Sequence, residues 1–242
     1  MFIHDDARSL IMYSDCADFP YFMRAYYAAH VGLPFGFANG LKLQQQPVAS
    51  NADREDDLAQ SLIDGRLDNS PYGNIVTSRG GSNIPAKAGQ GMMIEQYLER
   101  MFDNVSTRTF RAGPMNRNTV THDIYPVKIN KSGIRSGTIV HSTGHVGIVF
   151  DITAAGNITM VDAHPDGSVS IKLIKPSTLD RSRPDHGLGF FRYRNMRAVG
   201  GSEHPFTGEI SGARLSVETD NELIASGKYS LEQYFGQGSQ VR

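Results

Sequence analysis

The stretch "SGTIVHSTGHVGIVFDI", residues 136–152, decides the fold class: β-branched residues alternate with small and polar ones, and Ser-Thr-Gly interrupts the run. Three further runs share its character. They are "GNITMVDAHP" (156–165), "GSVSIKLIK" (167–175) and "GLGFFRYRNM" (187–196), spaced by Gly, Asn, Asp and Pro turns. Together they predict an antiparallel sheet or small barrel of about four strands.

Upstream the period changes. In "SDCADFPYFMRAYYAAHVGLPF" (14–35), Phe19, Phe22, Met23, Tyr26, Tyr27 and Val31 recur at steps of three and four, the spacing of a helix with one buried face. The helix is predicted to begin near Asp15 or Cys16 and to stop before Gly32 and Pro34. Pro20 then falls in its first turn, where the missing N–H costs nothing. From Gly36 to about Tyr125 the pattern weakens through "NGLKLQQQPVASNADREDD", "NSPYGN" and "SRGGSN". One helix is predicted there in "GQGMMIEQYLERMFDNV" (89–105), with Met93, Tyr97 and Met101 or Leu98, Met101 and Val105 on one side. A shorter one is predicted around Asp56 to Ile63. Helix, then insertion, then sheet makes an α+β fold. The predicted boundaries are one domain over 1–242, an insertion or lobe at 36–125, and a C-terminal extension at 200–242.

Composition limits the function. Of 242 residues, 39% are hydrophobic and 20% charged, enough for one substantial core. Lys plus Arg number 24 and Asp plus Glu 25, so no net field draws the chain to nucleic acid. The cluster "RSRPDHGLGFFRYRNMR" mixes Arg with aromatics, but a sheet edge and a surface loop explain it equally well. No stretch reaches the roughly 20 apolar residues of a membrane span. The opening "MFIHDDARSL" has no apolar h-region, so as written the chain carries no export signal. Cys16 is the only cysteine, and no internal disulfide can form.

That cysteine falls at a helix start, where unpaired N–H groups and the positive end of the dipole are expected to lower a thiol pKa. A thiolate nucleophile needs a base and a group to orient it. His145 opens an alternating strand, and Gly144 and Gly147 leave room beside its imidazole. His164 closes the next strand before a Pro-Asp-Gly turn, and two adjacent antiparallel strands bring the imidazoles side by side. His164 also reads as a turn residue. Asp162 is the nearest substitute, on the same face by period-two alternation. His141 shares the face of His145 only if the strand runs unbroken.

No cofactor is expected. His141, His145, Asp162 and His164 lie near one another, but zinc sites use paired short-spaced ligands and no His-Glu-x-x-His segment exists. The glycines of "RGGSN" and "GQGMM" lack the Gly-Lys-Ser/Thr ending of a phosphate loop. The Met and aromatic residues of "MMIEQYLERMF" read as packing, and "DREDD" as a solvated face.

"DCADFPYFMRAYY", "SGTIVHSTGHVGIVFD" and "ITMVDAHPDG" together resemble the NlpC/P60 group of papain-like cysteine peptidases. The match covers about residues 12–33 and 132–175. The resemblance implies a papain-like core in which Cys16 is the nucleophile, His145 the general base and His164 the orienting residue. It implies an amide hydrolase acting on peptidoglycan stem peptides, in the cell envelope or secreted. The oxyanion would rest on the Cys16 N–H and a donor from Tyr13 to Asp15. Asp18 stands where the family usually has Gly, and "IRSGTIV" lacks the usual acidic residue. Papain-like folds also host acyltransferases, transglutaminases and deamidases, and a site of this kind can decay into a binding module.

Overall fold

The computed structural model describes residues 14–43, 74–83, 98–99, 101–111, 120–142, 145–174, 189–206 and 210–230. These residues form a mixed α+β structure with few helices and antiparallel strands. Helix α1 is Asp18–Val31, followed by strands β1 (Phe35–Leu43) and β2 (Asn74–Asn83), and by the short helix α2 (Thr107–Phe110). Then come β3 (Ile124–Pro126), β4 (Ile139–Ser142), β5 (His145–Ile152), β6 (Ile158–Ala163), β7 (Val169–Leu173) and β8 (Gly189–Tyr193). The chain continues through β9 (Met196–Val199), β10 (Ser202–Glu203), β11 (Ile210–Ser211) and β12 (Arg214–Val217) to helix α3 (Asp220–Ala225).

Among the described residues the main sheet has six strands in the order β3-β8-β4-β5-β6-β7. The four apolar runs read from the sequence supply five of them, because residues 136–152 fold back as a hairpin: β4 pairs with β5, His141 against Val146 and Ser142 against His145. The turn therefore puts His141 and His145 on opposite faces. His141 is buried, tilted against the ring of Phe110.

The period of α1 is as expected, and its phase is shifted. Phe19, Tyr21, Phe22, Ala25 and Ala28 face the core, whereas Met23, Tyr27 and Val31 are exposed. Two alanines on the inner stripe let the helix approach closely, and the bulkier residues stay outside. Gly32 ends the helix in the left-handed region at φ 71°, which only glycine enters cheaply.

Part of the 36–125 region joins the same core. Phe35 and Phe37 of β1, Leu98, Met101, Val105 and Phe110 pack in one cluster with Tyr21, Phe22, Ile124 and Ile139. Of the two stripes considered for residues 89–105, Leu98, Met101 and Val105 are buried, and Met93 and Tyr97 lie outside the described residues. The helix expected around Asp56 to Ile63 lies outside the described residues. A buried carboxylate fastens β1 and β2 to this core: Asp123 accepts from Tyr21 Oη at 2.8 Å, from the Ala38 amide at 2.5 Å and from Arg79. Arg79 also donates to the Thr121 carbonyl. Burial alone would raise the Asp123 pKa; the Arg79 charge and the amide outweigh it and lower it.

Within 200–242, residues 218–230 close on the sheet. Leu223 is buried in the core, and a Thr219–Glu222 capping box starts α3. Arg194 donates to the carbonyls of Ile124 and Glu218 and pairs with Asp220.

Candidate active site

The sequence places an aspartate three residues before another, and local hydrogen bonding follows from that spacing. Asp15 Oδ1 accepts from the amides of Ala17 at 2.8 Å and Asp18 at 3.1 Å, while Asp18 Oδ2 accepts from the Asp15 amide at 3.3 Å. This reciprocal pattern is a capping box built from two aspartates. Phe19 N–H already bonds the Asp15 carbonyl at 3.1 Å, so Cys16 sits in the first turn of the helical ladder.

The turn abuts β5. The half-buried Cys16 thiol lies close enough to the backbone amide of Val146, the residue after His145, for that amide to favour its thiolate. The expected lowering of the thiol pKa is reversed here. Burial raises it most, the Val146 amide opposes that, and the charges of Asp15 and Asp18 raise it further. The helix end does not offset them: Asp15 takes the Ala17 and Asp18 amides, which leaves the Cys16 amide to favour the thiolate.

On β5, alternation puts His145, Gly147 and Val149 on one face. The pairing Ile148↔Val161 sets that face beside Asp162 and His164 of the next strand. His145 Nε2 pairs with Asp162 Oδ2 in a short hydrogen bond. His164 does not take that bond. Its ring stacks on His145 with centroids 5.6 Å apart and 18° between planes, while its Nε2 lies 3.3 Å from Ser170 Oγ and 3.2 Å from Lys172 Nζ. Both readings of position 164 thus have a counterpart: the residue flanks His145, and it opens the β6–β7 turn through its N–H to Ser168 O and its carbonyl from Gly167 N–H, each at 2.9 Å.

Asp162 is fully enclosed. Lys172 Nζ donates to Oδ2 at 2.8 Å and Ser170 Oγ donates to Oδ1, both from β7, where register places Ser170 opposite Asp162 and Lys172 opposite Met160. Burial pushes the Asp162 pKa up; the bonds from Lys172, Ser170 and His145 overcome it and bring the carboxyl to about 2. Ser170 and Lys172 escape a reading centred on Cys and His. Their signal is the alternation in "VSIKL", where Val169, Ile171 and Leu173 are exposed on one face and the two polar residues reach Asp162 from the other.

Gly147 has a different use from the one expected. A Cβ added there would meet Met160 Sδ at 2.5 Å and the Val161 carbonyl at 3.0 Å, so the space beside His145 is taken by β6 itself. Gly144 and Tyr13 lie outside the described residues. The Asp15 amide, one of the suggested oxyanion donors, is already bonded to Asp18. Among the described residues, no group of three or more His, Cys, Asp or Glu side chains is placed to hold a metal ion.

An imidazole of β5 and a buried carboxylate of β6 are thus bonded, and the turn before α1 that bears the thiol lies against the residue after that imidazole. Such a set can move a proton from sulfur to nitrogen and hold the resulting imidazolium. No protein-family model, curated protein or solved structure matches the chain. No helix among the described residues is long and apolar enough to cross a membrane.

Proposed function

We propose that this chain is a thiol hydrolase of amide bonds with a papain-like, NlpC/P60-type core, whose substrate class is the stem peptide of peptidoglycan. The observation that supports it most is the short hydrogen bond between His145 Nε2 and the buried Asp162, on the strand whose next residue, Val146, presents its amide toward Cys16. The nucleophile is Cys16 and the base is His145, which uses Nδ1 because Nε2 is engaged. The orienting group is Asp162 in place of His164, since it is the carboxylate that bonds the ring.

In the proposed cycle the Cys16 proton passes to His145 and the sulfur attacks the carbonyl carbon. The C–N bond then breaks, and His145 returns the proton to the leaving amine. Water, deprotonated by His145, attacks the thioester; the C–S bond breaks, the acid leaves and the thiol is restored. Asp162 fixes the ring and stabilises the imidazolium without taking the proton.

The test incubates the wild-type chain and Cys16→Ala with purified peptidoglycan fragments and follows new amines by mass spectrometry. The expected result is cleavage by the wild type alone. Cleavage that persists in Cys16→Ala sinks the mechanism. Amide exchange onto an added amine without hydrolysis replaces the hydrolase with an acyltransferase on the same residues.

A further inference from the structure

The first turn of α1 holds a carboxyl that the cycle above leaves idle. Asp18 is 8% exposed, and its Oδ1 is buried with no hydrogen-bond partner. Its Oδ2 receives only the long bond from the Asp15 amide, 3.3 Å. Asp15 by contrast accepts from two amides at 2.8 and 3.1 Å, so its carboxyl group is the better hydrogen-bonded of the two. Two adjacent carboxyls of this kind do not both ionise; the less solvated one keeps a proton. Burial together with the neighbouring Asp15 charge lifts Asp18 to about 7.

We propose that Asp18 is a positioning residue working as a neutral acid: its protonated carboxyl donates to the Asp15 carboxylate, so the turn bearing Cys16 carries one negative charge in place of two. The inference rests on the hydrolase reading only in taking Cys16 as the reacting group. Asp15 is the described residue whose charge acts on Asp18; Cys16 shares its turn, and His145 stands on β5 next to Val146, whose amide acts on the thiol. When Asp18 loses its proton, its charge disfavours the thiolate. This acid, standing where the family usually has Gly, would then hold back the rise of thiolate with pH once it ionises.

Cys16 is the only cysteine, so iodoacetamide uptake measured by intact mass reports its reactivity alone. Asp18→Asn keeps an acceptor for the Asp15 amide and removes the ionisation. At pH 6 the two proteins are expected to react within about twofold of each other. At pH 8 the variant reacts about five- to tenfold faster, the effect of removing one partly screened neighbouring charge. A ratio that does not change between these pH values overturns the proposal. Should the variant not fold, 13C-carboxyl labelling of aspartate in the wild-type chain gives a second reading: one carboxyl is expected to titrate near pH 7, and titration of all of them below pH 5 overturns it. Neither readout uses peptidoglycan, so failure of the hydrolase reading and failure of this one are told apart.

Discussion

Replacing Asp162 by Asn tests the electrostatics of the site through stability, independently of any substrate. The carboxyl is enclosed, with a side chain 0% exposed, and its pKa falls from 3.8 to about 2. That difference corresponds to roughly 2.4 kcal/mol favouring the ionised folded form. Because the folded pKa is the lower one, this stabilisation is fully present above about pH 4 and is lost as pH falls through about 2. At pH 3 the same two pKa values leave about 1.3 kcal/mol. Asp162→Asn removes the charge at nearly constant volume, so its destabilisation should shrink by about 1.1 kcal/mol between pH 6 and pH 3. The assay is urea unfolding followed by far-ultraviolet circular dichroism at both pH values. A penalty equal at pH 6 and pH 3 would refute the claim that Lys172, Ser170 and His145 hold a charged Asp162.

Two further perturbations probe the frame around the site. Gly147→Ala should cost about 1–3 kcal/mol by driving Met160 and the β6 backbone away from β5; in a double-mutant cycle Met160→Ala should recover part of it, and full additivity would contradict the close approach. Asp123→Ala should destabilise by about 3–5 kcal/mol, because it leaves the Arg79 guanidinium without its buried partner and the Tyr21 hydroxyl and Ala38 amide without an acceptor. An unfolding midpoint within error of wild type would show that β1 and β2 are fastened by something other than this carboxylate.

How much of this was legible beforehand differs from element to element. The helix after Cys16 and its stop at Gly32 follow from local chemistry: apolar period, an early proline and a left-handed glycine. The strand runs are legible for the same reason, since alternation is a property of neighbouring residues. What alternation cannot give is the number of strands in residues 136–152, because a tight turn reads like a weak spot in one strand. The phase of α1 was equally hidden: small residues count little in an apolar pattern, yet two alanines decide which stripe packs closest.

The site divides in the same way. The sequence by itself determined a thiol at a helix start, a histidine opening a strand, and Asp162 and His164 sharing one face of the next, because each depends on spacing within a single segment. Tertiary packing sets which of those two bonds the His145 ring and which stacks on it, since that turns on register between strands and on where a ring can rotate. It also decided the direction of the Cys16 shift. A helix terminus favours a thiolate in isolation, but burial against β5 and the neighbouring acidic side chains act on the same sulfur more strongly, and burial is a property no local segment carries.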